Sequence, residues 1–197
     1  MEITAKMVKE LRDTTGAGMM DCKKALGKAE GDIDKAIGVL REQGIAKASS
    51  KAGRATSEGV VASYIHPGDK LGVMVEINCE TDFVARTDQF KTFARDIAMQ
   101  IAATSPACVD RDSLDNTLIE KEKEIFRHQA ENEGKPAKII DKIVDGKLEK
   151  YFAEVVLLDQ PFVKDGDKTI GDLVKETVGT LGENIVIKRF NRFRLGE

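Results

Sequence analysis

A carboxylate and a phenyl ring stand side by side at Asp82 and Phe83, where an alternating apolar strand, Leu71–Cys79, hands over to a helix-spaced segment. A helix N-terminus favours Asp, because a side-chain oxygen can accept an orphan backbone N–H there and the helix dipole favours negative charge. Nothing about a helix N-terminus calls for the neighbouring Phe. Two arrangements fit these residue types. In one, Asp82 is an N-cap and Phe83 a core aromatic. In the other, the pair is a rigid wedge, apolar and anionic, offered to a partner. Local chemistry leaves both open.

Other candidate chemistry is sparse. The sequence has no G-x-x-x-x-G-K-[ST] loop to cradle phosphates, and no G-x-S-x-G, H-E-x-x-H or G-x-G-x-x-G. Its two histidines, His66 and His128, fall in a turn and on a charged helix, with no converging groups to share a task. Asp165-Gly-Asp-Lys168 lacks the remaining positions of a calcium loop and reads as a turn. Cys22, Cys79 and Cys108 are odd in number and far apart, which suits reduced cytosolic thiols rather than a disulfide framework or a zinc site. An enzyme of ordinary kind is not expected, nor a metal or a cofactor.

Charge narrows the partners. The 31 Lys and Arg against 34 Asp and Glu leave a net charge of −3, so no global basic field exists to hold nucleic acid. The run Lys188-Arg-Phe-Asn-Arg-Phe-Arg194 interleaves cations with aromatics, but strand alternation with solvated edges explains it without RNA. The N-terminus lacks an apolar leader and no apolar run approaches a bilayer's thickness, so a cytoplasmic protein without membrane contact is expected.

The elements that must position these residues follow from periodicity. Thr4 can cap a first helix carrying Met7, Val8 and Leu11; Gly16 and Gly18 break it and open a second over Met19–Ala29. Asp32 caps a third helix through Ile33, Ala36, Ile37 and Leu40, which Gly44 is expected to end. Residues 1–45 thus form a three-helix bundle, and 46–57, small, polar and basic, a linker that is partly helical at most. In the core, 58–197, the period changes to two over Val60–Ile65 and Leu71–Ile77, a β-hairpin around His66-Pro-Gly-Asp69. Helical spacing returns from Asp82 through Phe90, Phe93, Ile97 and Ile101 to Pro106. Two further helices joined at Gly134-Lys-Pro136 make a helical hairpin, with Gly146 a possible interruption of its second arm. A short helix after Thr169 and a strand from Glu183 to Phe190 close the chain. The expected fold class is α+β, with helices covering one face of a small antiparallel sheet.

Two long motifs resemble one family. Thr81-Asp-Phe-Val84, following Asn-Cys-Glu, and Leu11-Arg-Asp-Thr-Thr-Gly-Ala-Gly-Met-Met-Asp-Cys-Lys-Lys-Ala-Leu26 are similar to the two signatures of elongation factor Ts, in the same order and about 55 residues apart. The similarity extends to Gln160-Pro-Phe-Val163 and Gly182-Glu-Asn-Ile185. The resemblance implies a guanine-nucleotide exchange factor that binds elongation factor Tu in its GDP-bound and nucleotide-free forms. It assigns Mg²⁺ dislocation to Thr81, Asp82, Phe83 and Val84. It gives the N-terminal end, a ubiquitin-associated-like bundle, a grip on the partner's nucleotide-binding domain, for which Leu11, Met19 and Met20 are candidates. Leu11 on its own reads as bundle core, while two adjacent methionines cannot both point inward. At Gln100 the family often carries a His credited with pressing on the partner's phosphate loop; Gln keeps hydrogen bonding but cannot become cationic. One copy of the core implies a homodimer, noncovalent because Asn191 stands where some members carry Cys. A helical adaptor without exchange activity, and a translation-associated RNA binder using Lys188–Arg194, are the rival readings.

Overall fold

The computed structural model describes residues 3–197; Met1 and Glu2, part of the stretch 1–45 assigned to the bundle, lie outside the described residues. In chain order the elements are α1 (Ala5–Thr15), α2 (Met19–Lys28), α3 (Ile33–Lys51), β1 (Glu58–Ile65), β2 (Leu71–Cys79), α4 (Asp82–Ala85), α5 (Asp88–Thr104), α6 (Asn116–Asn132), α7 (Ala137–Val155), β3 (Pro161–Phe162), β4 (Asp165–Thr169), α8 (Ile170–Leu181) and β5 (Ile185–Arg194). The fold is α+β, with a three-stranded sheet ordered β1-β2-β5 and a separate β3-β4 pair. Two compact units share the chain. Of the described residues, one takes 3–60, Ile77–Ala94 and Asp172–Val186; the other takes Val61–Glu76, Arg95–Gly171 and Ile187–Glu197.

In the first unit, α1 to α3 close over Val8, Leu11, Cys22, Ala25, Leu26, Ala29 and Ala36. Thr4 caps α1, its hydroxyl accepting from the Met7 N–H at 3.3 Å, and Asp32 caps α3, accepting from the Lys35 N–H at 3.0 Å. Gly16 takes the left-handed conformation, φ 67°, that ends α1. Gly44 does not end α3, which runs on to Lys51 and makes the first part of the expected linker helical. The glycine serves packing instead. Gly44 is buried, and a Cβ built on Gly179 of α8 would stand 2.6 Å from the Gly44 Cα, so the two helices meet backbone to backbone. Arg41 reaches Asp172 and Glu176 at 4.0 and 3.6 Å, and the Lys51 ammonium donates to the Gly182 carbonyl. Helical spacing from Asp82 onward predicts one helix, but there are two. Thr87 divides them: its hydroxyl donates to the Val84 carbonyl at 2.8 Å and accepts from the Phe90 N–H at 3.2 Å, opening α5.

In the second unit, the hairpin turn is closed by the His66 N–H donating to the Leu71 carbonyl at 2.9 Å. The arms α6 and α7 zip along Ala130, Ile140, Val144 and Leu148, and α7 passes through Gly146 unbroken. Arg111 anchors their base: its guanidinium donates to Glu149 at 2.7 and 3.0 Å and to Asp159 at 2.6 Å, and lies 4.4 Å from the Phe152 ring centroid. Asp165-Gly-Asp-Lys168 is not a turn. It forms most of β4, antiparallel to β3 with Pro161 opposite Thr169 and Phe162 opposite Asp165.

Candidate functional site

β2 delivers Cys79, Glu80 and Thr81 to the start of α4, and Thr81 is the residue that caps it. Its hydroxyl accepts from the Val84 N–H at 3.5 Å, so Asp82 is the first helical residue and not the N-cap. Three further contacts fix Thr81. Its N–H donates to one Glu183 oxygen at 2.9 Å, its hydroxyl donates to the other at 2.6 Å, and the Cys79 thiol donates to its carbonyl at 3.2 Å. Burial pushes the Cys79 thiol up from its ordinary value and the Glu183 carboxylate adds to that, which keeps the sulfur protonated as a donor. The Glu80 N–H also donates to Glu183, at 3.1 Å, while the Asn184 N–H donates back to the Glu80 carboxylate at 2.7 Å. Arg54 stands 3.6 Å from Glu80, and its carbonyl accepts from the Asn184 amide at 2.9 Å.

From this anchored start the chain turns outward. Phe83 is 79% exposed, so the core-aromatic alternative does not describe it, and the burial resumes at Ala85. Asp82 pairs with Arg86 at 2.8 Å, one turn on and mostly in solvent. With the Arg86 side chain 78% exposed and that of Asp82 42%, the pair is held only weakly.

Of the bundle residues, Met19 and Met20 lie at the start of α2 with 43% and 64% of their surface in solvent. Leu11 is fully buried in the bundle core, where it supports the helices and presents no surface. Gln100 belongs to the second unit and is also fully buried. Its amide nitrogen donates to the Gln160 side chain at 3.2 Å and the Pro161 carbonyl at 3.1 Å, and its oxygen accepts from the Val163 N–H at 2.9 Å. That is the task of a residue holding β3, not of one touching a partner. Glu183 and Asn184 fall in the stretch Gly182-Glu-Asn-Ile185 that resembles the family, but no local pattern showed what they and Arg54 bind, because those partners lie far away in sequence.

The remaining chemical candidates are occupied or isolated. His66 faces the Tyr64 hydroxyl at 3.1 Å and His128 stands 3.4 Å from Glu131, both exposed. In the basic terminal strand, Arg189 pairs with Glu76 at 2.7 Å and Arg192 with Glu197 at 2.9 Å. Among the described residues no group of three or more His, Cys, Asp or Glu could hold a metal, and no helix is long and apolar enough to cross a membrane.

Comparison with known proteins gives the family of the chain. A family model described as Elongation factor TS matches residues 2–197. Elongation factor Ts of Carboxydothermus hydrogenoformans is 62% identical over 195 residues, 99% of this chain and 90% of that protein. Elongation factor Ts of Coprothermobacter proteolyticus is 58% identical over 197 residues, the full length of both. Elongation factor Ts of Solidesulfovibrio magneticus is 59% identical over 195 residues, 99% of this chain and 98% of that protein. With an exposed Phe on an anchored turn and this similarity along its whole length, the chain belongs to the elongation factor Ts family.

Proposed function

We propose that Thr81–Val84 is the wedge with which this chain, a guanine-nucleotide exchange factor of elongation factor Tu, dislocates the Mg²⁺ that helps hold GDP. The observation that supports it is Phe83, a large apolar side chain kept in water on an anchored turn. Exchange needs no bond chemistry. A protein that binds the nucleotide-free partner better than the loaded one must, by reciprocity, weaken the nucleotide's hold, so that GDP leaves and GTP can enter. Phe83 supplies apolar area with few rotors, to pry apart side chains supporting the ion's site. Asp82 brings a carboxylate beside it to compete for the cation or repel its ligands. The protein is therefore an exchange factor rather than a catalyst, and its working place is the cytoplasm.

Met19 and Met20, pliable and exposed, dock the bundle on the partner, with Leu11 bracing them from within. Gln100 acts at one remove, by fixing β3. A noncovalent homodimer completes the assembly. Ile65, Met74, Phe193 and Leu195, all exposed, line a groove of about 520 Å³ in the second unit, an apolar surface suited to a second copy. The test is release of fluorescent GDP from elongation factor Tu with and without this chain. Acceleration at substoichiometric amounts is expected; an unchanged rate contradicts the reading.

A further inference from the structure

Resting on the wedge reading, we infer that Glu183 is the positioning residue of Phe83: a carboxylate about 100 residues away in sequence that sets the direction in which the wedge points. One side chain accepts three hydrogen bonds from Glu80 and Thr81, the two residues just before Asp82 and Phe83: the Glu80 N–H, the Thr81 N–H and the Thr81 hydroxyl, at 3.1, 2.9 and 2.6 Å. The bonding is reciprocal, since the Asn184 N–H returns 2.7 Å to the Glu80 carboxylate. Residues 80–81 and 183–184 are thus clasped in both directions.

The clasp is needed because α4 has only four residues. One helical turn does not stabilise itself, since nucleation fixes several dihedrals for a single bond. Its axis is therefore set from outside, and the direct handles on its first turn are Thr81 and what holds Thr81. The Cys79 thiol and the Val84 N–H take up the Thr81 carbonyl and hydroxyl, and Glu183 takes its N–H and the hydroxyl proton. Only an ionised carboxylate accepts at both oxygens without offering a donor, so the residue type fits the three donors facing it. Glu183 itself is half-buried, which suits a residue acting through Thr81 rather than by contact. Without the clasp, ordering of the turn is deferred to the encounter with the partner and subtracts from the free energy available to move the ion.

The experiment measures fluorescent GDP release from elongation factor Tu over a concentration series of the full chain, for the unmodified protein, Glu183→Ala, Glu183→Gln, Phe83→Ala and the double variant Glu183→Ala/Phe83→Ala. Glu183→Ala should lower the maximal rate about tenfold, the worth of one charge-assisted hydrogen bond, while the half-saturating concentration stays within about twofold. Glu183→Gln, whose amide can serve the two N–H groups and donate to the Thr81 hydroxyl oxygen, should recover a large part of the rate. The double variant should be slower than Phe83→Ala by no more than about twofold, because both changes act on one event. A maximal rate for Glu183→Ala equal to that of the unmodified chain overturns the inference while leaving the wedge standing. So does a double variant whose losses multiply, which marks a general structural role. If Glu183→Ala loses its cooperative melt, Thr81→Val, which removes the 2.6 Å bond to Glu183 together with the 3.5 Å cap on the Val84 N–H, carries the same expectation, and an unchanged maximal rate in that variant also overturns it. No acceleration by the unmodified chain removes the wedge reading and this inference together.

Discussion

Phe83 is held by what precedes it, not by what surrounds it. Truncating it to Ala should change the unfolding free energy by less than about 0.5 kcal/mol, as at other surface positions. Phe90, at the start of α5, is fully buried, and Phe90→Ala should cost about 3–5 kcal/mol by the same chemical change. Urea melts of the two variants check the contrast. Asp82→Ala should leave stability nearly unaltered, because its pair with Arg86 is exposed, yet slow nucleotide release most in excess Mg²⁺, where the ion is hardest to displace. Exchange assays across a Mg²⁺ series measure that dependence. At this scale the sequence was legible in part. The types Asp and Phe at the strand–helix junction were visible, and resemblance supplied their role. Thr81, just ahead of that pair, is held by Glu183, and no local pattern links residues about 100 positions apart. Gln100 was a candidate through the family's His at that position, and the partners that bury it, Gln160, Pro161 and Val163, lie about 60 residues on, where no local pattern points to them.

Helix starts were legible because capping is local: Thr4 and Asp32 cap as their positions predict. Helix ends and breaks were less so, since a glycine or threonine signals several different things. Gly44 has the sequence look of a C-cap, yet it lies inside α3, where tertiary packing against Gly179 overrides its weak helix propensity. The same contact makes an asymmetric prediction. A Cβ at Gly44 would meet the Gly179 Cα at 3.9 Å, an ordinary contact, so Gly44→Ala should be neutral or stabilise by up to about 1 kcal/mol. A Cβ at Gly179 would stand 2.6 Å from the Gly44 Cα, so Gly179→Ala should destabilise by about 1–3 kcal/mol. Denaturant unfolding of the two variants, with m unchanged, decides it; equal effects would mean that the helices do not approach as described.

For the molecule as a whole, burial pushes the Cys22 and Cys79 thiols above their ordinary values. A group with a raised folded pKa stabilises fully below its unfolded value, about 8.5 for a thiol, and loses that stabilisation as pH rises through the folded value. Thermal stability should therefore fall above about pH 8.5, and less steeply in a Cys22→Ala/Cys79→Ala variant. Sedimentation at micromolar concentration should give about twice the chain mass of 21.6 kDa, unaffected by reductant, if the apolar groove is covered by a second copy. The fold class and the family were legible because periodicity and two long motifs run along the chain; the hydrogen bonds between residues 80–81 and 183–184 were not. The most direct test of the wedge is release of fluorescent GDP from elongation factor Tu by the unmodified chain and by Phe83→Ala, at saturating concentration and with melting curves recorded on the same samples. A variant that melts with the unmodified protein but releases GDP at least about tenfold more slowly is the predicted result. A variant that melts well below it, yet exchanges nucleotide at the full rate while folded, would contradict the wedge.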